Sequence, residues 1–107
     1  MKSISAPELA EWLADAGRAD PLLLDVREPW EHQICRLEGA ELVPMRALAE
    51  HLAELDPTRD IVCLCHHGGR SLHVAQYLSY HGFNRVYNLT GGVDAWARQV
   101  DAAMPTY

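Results

Sequence analysis

The side chains of this chain that are best suited to covalent chemistry lie together in the segment Cys65-His66-His67-Gly68-Gly69-Arg70-Ser71. A cysteine thiolate is a strong nucleophile, and it is favoured where backbone N–H groups and a helix N-terminus stabilise its negative charge. The apolar run from Asp60 to Leu64 predicts a buried strand, and the residues from Ser71 to Leu78 predict a helix. The pattern therefore indicates a nucleophilic Cys65 at the carboxyl end of a strand, in a loop whose N–H groups also bind small anions.

Two other interpretations of this segment are an ordinary strand-to-helix turn and a metal site. Two glycines, an arginine and two histidines within one turn argue against the first, since glycines admit backbone conformations that a Cβ would forbid. The cysteine and histidine side chains between positions 63 and 67 are of the types that bind zinc, but no second pair of ligands follows at a recognisable spacing. We therefore predict no metal or other cofactor. Cys63 is then expected to be a buried core thiol, and Cys35 a loop cysteine.

The length and composition of the chain indicate how many domains it forms and which classes of partner it is not expected to bind. With 107 residues, of which 49 % are hydrophobic and 22 % charged, the chain is expected to form one domain over residues 1–107. Its formal net charge of -6 argues against binding to nucleic acid or to an acidic membrane. No segment resembles a membrane span or a signal peptide, and three cysteines form no disulfide framework, as is typical of a reducing compartment. We therefore expect a cytoplasmic protein.

Predicted strands alternate with predicted helices along the chain. Strands are expected within Pro21–Val26, Gly39–Pro44, Asp60–Leu64 and Arg85–Leu89, and helices after Ser5, from Met45 to Leu55, from Ser71 to Leu78 and after Gly92. This order predicts an α/β fold with a mainly parallel central sheet flanked by helices on both faces. Ligands of such sheets bind outside the carboxyl ends of the strands, where Asp25 and Arg27 would join Cys65. We also expect Trp12, Trp30 and Trp96 in the core and a loose tail, Pro105-Thr106-Tyr107.

Four segments resemble the rhodanese family, and they occur in the family's order. They are Leu24-Asp25-Val26-Arg27-Glu28-Pro29-Trp30-Glu31, Gly39-Ala40 followed by Pro44, Cys65-His66-His67-Gly68-Gly69-Arg70-Ser71, and Leu89-Thr90-Gly91-Gly92-Val93-Asp94-Ala95-Trp96. The chain thus resembles a single rhodanese domain of the short bacterial kind over nearly its whole length. One departure is that Cys35-Arg36-Leu37-Glu38 stands where the family commonly has Gly-His-Ile-Pro. That histidine is a structural residue of its loop, so the departure affects the rim of the pocket rather than the chemistry.

The resemblance implies a sulfurtransferase that carries sulfur as a persulfide on Cys65. The implied donor is a small sulfur-containing anion such as thiosulfate, and the implied acceptor is cyanide or a thiol, including that of a protein partner in a sulfur relay. The implied substrate-binding residues are those of the loop: His66, His67, Gly68, Gly69 and Arg70. Arg70 either contacts the substrate or anchors the loop. The implied supporting residues are Ser71, Asp25, which is expected to be a hydrogen-bonding brace, and Arg27, its neighbour or a charge at the pocket rim.

Two classes of alternative function stand beside this one. The first is a rhodanese-like module that carries sulfur, senses redox state or binds a partner; inactive modules of this kind usually lack the cysteine, which this chain keeps. The second is a cysteine-dependent phosphatase or arsenate reductase, whose loop places five residues between the cysteine and the arginine. Here four residues separate Cys65 from Arg70. The spacing therefore favours sulfur transfer over chemistry on a tetrahedral oxyanion.

Overall fold

A sheet of five parallel strands runs through the molecule in the order β1-β5-β4-β2-β3. The computed structural model describes all residues from Met1 to Tyr107. The strands are β1 (Lys2–Ile4), β2 (Leu22–Asp25), β3 (Glu41–Leu42), β4 (Ile61–Leu64) and β5 (Val86–Leu89). The helices are α1 (Ala6–Ala14), α2 (Pro29–Ile34), α3 (Leu48–His51), α4 (Gly69–Tyr80) and α5 (Gly92–Gln99). The predicted α/β fold with a parallel sheet is confirmed.

Two hydrophobic cores cover the two faces of the sheet. Val62 and Leu64 of β4 point into the core that α1 and α5 cover, whereas Ile61 and Cys63 point into the core of α3 and α4. Because both faces of β4 are buried, its sequence is apolar at every position rather than alternating. The strand is thereby held at the centre of the sheet between β5 and β2, and its carboxyl end opens into the loop at Cys65.

Local signals account for several of the helix boundaries. The side chain of Ser5 accepts a hydrogen bond from the N–H of Glu8, and the carboxylate of Glu8 accepts one from the N–H of Ser5. This reciprocal cap starts α1 where the sequence predicted it. None of the helices combines the length with the apolar composition that a membrane-spanning segment requires.

The segment from Met45 to Leu55 differs from its prediction as one helix. It consists of a 3₁₀ turn over Met45–Ala47, the single turn of α3, and a second 3₁₀ turn over Leu52–Glu54. Ala47 and His51 adopt φ near -100° with ψ near 0°, which breaks the regular helix at both junctions. The apolar spacing of three and four residues suits successive short turns as well as a continuous helix, so the pattern alone did not separate them.

The expectation that all three tryptophans lie in the core was wrong for Trp30. Trp12 is buried and donates from its ring N–H to the carbonyl of Ala19. Trp30 instead lies 59 % exposed on the short helix α2. Its ring packs edge-on against that of Tyr107, so it forms part of the surface near the functional residues described next.

Candidate active site

Cys65 follows β4 directly and lies beneath the start of α4. Its Sγ atom accepts hydrogen bonds from the backbone N–H groups of Gly68, at 3.1 Å, and Ser71, at 3.4 Å. The hydroxyl of Ser71 also lies 3.4 Å from this sulfur. The loop therefore aims N–H donors at one sulfur atom, and the N-terminal end of the twelve-residue helix α4 adds its positive partial charge.

Glycines are required where the loop meets the turn before α5. Gly68 has φ of +106°, a conformation that other residues rarely adopt. A Cβ on Gly92 would collide with the carbonyl oxygens of Cys65 and His66. This close approach lets the N–H groups of Val93 and Asp94 donate to those same two carbonyls, at 2.9 and 3.1 Å. The carbonyl side of the loop is thus held by α5 while its N–H side faces the sulfur.

A buried asparagine braces the loop from below. The Ser71 hydroxyl donates to Asn88 Oδ1 at 2.6 Å, and Asn88 Nδ2 donates to the carbonyl of Gly68 at 3.3 Å. Asn88 therefore touches both residues whose N–H groups reach Cys65. Sequence reasoning missed this residue, although an asparagine inside the apolar strand β5 is a signal that a buried polar group needs a partner.

The guanidinium of Arg70 is bound by Glu31 of α2. Two parallel hydrogen bonds of 2.6 and 2.9 Å join Arg70 Nη1 and Nη2 to the two carboxylate oxygens of Glu31. The bonds from Arg70, opposed by burial, lower the pKa of Glu31 to about 2. The same partner raises the pKa of Arg70, so both groups are charged at neutral pH. Arg70 thus connects the loop to α2 through Glu31, and its contact with a substrate stays a prediction.

Asp25 and Arg27 form a buried ion pair at the carboxyl end of β2. Arg27 Nη2 lies 2.7 Å from Asp25 Oδ2, and neither side chain is exposed to solvent. Burial opposes the charge of Asp25, but the hydrogen bonds from Arg27 and His32 outweigh it and hold the pKa of this carboxyl below its ordinary value. Arg27 also donates to the carbonyl of Cys35 at 2.6 Å. The pair therefore braces the segment around α2. Cys35 lies in the loop after α2, as expected, but it is buried there.

The tail that the sequence predicted to be loose ends in a specific contact. Tyr107 Oη donates to Glu31 Oε2 at 2.7 Å and accepts from Arg27 Nη1 at 2.9 Å. Its ring lies edge-on to that of His66, with the ring centroids 4.1 Å apart. Burial is the main cause that raises the pKa of Tyr107 to about 12, so its hydroxyl keeps its proton. The prediction failed because the partners of Tyr107 lie more than 70 positions earlier in the chain.

The residues that could hold a metal ion are His66, His67 and Asp94, whose ligand atoms lie within 4.8 Å of one another. Asp94 is also 3.1 Å from Arg98 and 3.7 Å from His67. The cysteines that motivated the metal interpretation of the sequence do not belong to this group. Burial and the neighbouring Cys65 raise the pKa of the Cys63 thiol to about 12, so Cys63 is a protonated core residue as expected.

Comparison with known proteins gives matches over most of the chain. The Rhodanese-like domain family matches residues 5–99. The protein named "Rhodanese-like/PpiC domain-containing protein 12, chloroplastic" from Arabidopsis thaliana is 39 % identical, with all of this chain aligned to 38 % of that protein's length. A "Sulfurtransferase" from Allochromatium vinosum is 37 % identical over 92 % of this chain and 90 % of its own length. The chain therefore spans well under half of the first relative and most of the second.

Solved structures with the same fold are also similar to this chain. SSP1007 from Staphylococcus saprophyticus superposes with a TM-score of 0.85 and is 33 % identical, over 94 % of this chain and 97 % of its own. A rhodanese-like domain protein from Staphylococcus aureus gives a TM-score of 0.85 at 28 % identity, over 100 % of this chain and 99 % of its own. The similarity thus covers the strands, the cysteine loop and the helices together.

Proposed function

Since the chain belongs to the rhodanese-like family, we propose that it is a sulfurtransferase that moves sulfane sulfur from thiosulfate, or a related persulfide donor, to cyanide or a thiol through a persulfide on Cys65. Transfer of sulfur in general is supported by the family and by the relatives named as sulfurtransferases. The identity of donor and acceptor is the finer part of the proposal. We infer the donor and acceptor from the hydrogen-bond donors that surround Cys65.

The observation that carries the proposal is the pair of N–H donors aimed at Cys65 Sγ. In the first step the thiolate attacks the outer sulfur of thiosulfate, the S–S bond of the donor breaks, and sulfite leaves with the bonding electrons. The product is Cys65–S–S⁻, which has the same charge as the thiolate it replaces. In the second step cyanide or a thiolate attacks the outer sulfur and restores the Cys65 thiolate. Neither step needs a proton from the protein, and donors that stabilise an anion are what the loop supplies.

The surroundings of Arg70 support sulfur transfer over phosphoryl chemistry. Both terminal nitrogens of this side chain bind Glu31, so its charge is neutralised beside the loop rather than offered to a tetrahedral oxyanion. The persulfide also adds only one sulfur atom to Cys65, whereas a phosphoryl group would add a phosphorus atom and three oxygens to the same small loop. For the acceptor, we propose a small thiol or the thiol of a partner in a sulfur relay.

Intact-mass measurement after incubation with thiosulfate tests the proposal directly. The protein should gain the mass of one sulfur atom, lose it on addition of cyanide, and release one equivalent of thiocyanate. Cys65→Ser should abolish both the gain and the thiocyanate. Cys63→Ser is the matched control, because Cys63 is a buried cysteine two residues away on the same strand segment, and it should retain both. Sulfur loading that survives Cys65→Ser would contradict the proposal.

A further inference from the structure

One side chain, that of Tyr107, contacts one end of the loop around Cys65 directly and is connected to the other end through Glu31. Its ring packs on the ring of His66, the first residue after the cysteine. Its hydroxyl donates to Glu31, the carboxylate that binds Arg70 in the first turn of α4.

The hydroxyl of Tyr107 also joins two ion pairs that would otherwise be separate. On one side Arg27, which is buried with Asp25, donates to Tyr107 Oη at 2.9 Å. On the other side the hydroxyl proton points to Glu31 Oε2, at 2.7 Å. Arg27 only donates hydrogen bonds and the ionised Glu31 only accepts them, so a hydroxyl that bridges the two has to accept from Arg27 and donate to Glu31. The hydroxyl supplies both functions.

The donors of Arg27 are otherwise committed. Its Nε and Nη2 atoms bind Asp25, and Nη2 also binds the carbonyl of Cys35. Besides Tyr107, its Nη1 has two weaker acceptors, the carbonyl of Glu31 at 3.4 Å and the sulfur of Cys35 at 3.8 Å. Loss of the Tyr107 hydroxyl would leave one N–H of a buried cation without a good partner and would remove one hydrogen bond from Glu31. The bond lost from Glu31 is to Oε2, the oxygen that also accepts from Arg70 Nη2.

We propose that Tyr107 is a positioning residue for sulfur transfer, which holds His66 through its ring and Arg70 through Glu31, and thereby keeps the N–H groups of the loop on Cys65. The inference rests on the proposed function for its catalytic consequence, but its effect on the cysteine is independent of the donor. If the loop relaxes, the N–H groups of Gly68 and Ser71 move from the sulfur, and the thiolate and the persulfide lose the same stabilisation. Of the titratable groups, Arg70 and the protonated Cys63 interact electrostatically with Cys65.

Tyr107→Phe tests the hydroxyl, because it keeps the ring and removes one oxygen. Two rates are measured at pH 7, at a temperature where circular dichroism shows every variant folded: alkylation of Cys65, located by peptide mass spectrometry, and persulfide formation with thiosulfate. Both should fall about 3- to 10-fold, the effect of the one hydrogen bond to Glu31 through which the hydroxyl acts on the loop. Tyr80→Phe is the matched control, since Tyr80 is 89 % exposed, and it should leave both rates unchanged. Tyr107→Ala should slow both further, because it also removes the contact with His66.

A double-mutant cycle with Glu31→Gln separates positioning from a merely structural role. If Tyr107 acts through Glu31, the double variant Tyr107→Phe/Glu31→Gln should show the same alkylation and persulfide-formation rates as Glu31→Gln alone. A Tyr107→Phe variant that melts at a lower temperature but keeps both rates would overturn the inference. It would also be overturned if the rate reduction of the double variant equalled the product of the reductions of the two single variants. Equal rates in Tyr107→Phe and Tyr107→Ala would overturn the role assigned to the ring. A wild-type protein that takes no sulfur would refute the proposed function, while the alkylation rates would still decide the role of Tyr107.

Discussion

At the scale of single residues, the loop depends on polar side chains that are hidden from solvent. Asn88 is the main example, because its amide satisfies the Ser71 hydroxyl and the Gly68 carbonyl at once. Buried polar groups are stabilising when paired and costly when one partner is removed. A residue of this kind affects both the free energy of unfolding and the direction of the N–H donors at Cys65.

We expect Asn88→Ala to lower the free energy of unfolding by about 2–3 kcal/mol and to slow persulfide formation, because it leaves the Ser71 hydroxyl without its acceptor. Urea unfolding and the rate of sulfur loading measure the two effects. Asn84→Ala is the control, since Asn84 is exposed four residues earlier. Similar losses of stability in the two variants would show that the contacts beneath the loop contribute nothing measurable.

Cys63 and Cys65 should differ in reactivity although both are buried. Burial raises the pKa of Cys63 to about 12, so its thiol remains protonated throughout the neutral range. We expect iodoacetamide at pH 8 to modify Cys65 and to leave Cys63 unmodified until urea unfolds the protein. Peptide mass spectrometry with and without urea checks this. Alkylation of Cys63 in the folded protein at a rate near that of Cys65 would contradict it.

At the scale of elements, the strands and helices that the sequence predicted correctly are those whose patterns lie within a few consecutive residues. The apolar run of β4, the two glycines and the amphipathic start of α4 occupy a few consecutive positions, so they indicated the strand, loop and helix correctly. β1 was missed because two of its three residues are exposed and it pairs only with β5. The contact of Gly92 with the loop brings together residues 26 positions apart in sequence, and a pattern within either segment does not encode it.

Gly92→Ala should disrupt the cysteine loop, because the added Cβ meets the carbonyl oxygens of Cys65 and His66. Gly39→Ala is a matched control, since Gly39 also has a positive φ, of +79°, but a Cβ there meets nothing within 4 Å. The control should lose about 1 kcal/mol from backbone strain alone. Gly92→Ala should lose several times more, together with sulfur loading. If Gly92→Ala and Gly39→Ala lost the same free energy of unfolding in urea, the whole effect would come from backbone strain and not from the collision of the Cβ.

The length of the loop should also decide between sulfur and phosphoryl chemistry. Four residues between Cys65 and Arg70 form a small ring, and Arg70 is held by Glu31. We expect no useful hydrolysis of aryl phosphates and no reduction of arsenate under conditions that give clear turnover of thiosulfate. Insertion of one residue between Gly69 and Arg70 should weaken sulfur transfer, because it moves N–H donors from the sulfur. Phosphatase activity that rivals thiosulfate turnover and disappears in Cys65→Ser would reverse this assignment.

At the scale of the whole molecule, the site is assembled from segments that are distant in sequence. Cys65 and its loop were identified from the sequence alone, whereas Glu31, Asn88 and Tyr107 acquire their roles only when the sheet brings them together. The predicted roles of Asp25 as a brace and Arg27 as its neighbour agree with their buried pair. The link between α2 and α4 through Glu31 and Arg70, 39 positions apart, had no counterpart in any local pattern.

That link should make the stability of the whole molecule depend on acid pH. The pKa of Glu31 falls from an ordinary 4.5 to about 2 on folding. Its contribution is therefore complete above pH 4.5 and is lost as the pH falls from there towards 2. Because Arg70 is 35 % exposed and screened by solvent, we expect this contribution to be about 2 kcal/mol.

Urea unfolding of the wild type and Glu31→Gln at pH 6 and at pH 2.5 measures this contribution. The variant should be less stable than the wild type at pH 6, and the difference should shrink at pH 2.5, where the wild-type carboxylate has begun to bind its proton in the folded state and is protonated in the unfolded chain. Glu50→Gln is the control, because Glu50 is exposed on α3 and takes part in no ion pair. Its difference from the wild type should stay near zero at both pH values. A constant difference for Glu31→Gln would mean that the variant loses packing or hydrogen bonds rather than the charge of Glu31, and that the ion pair does not hold α2 against α4.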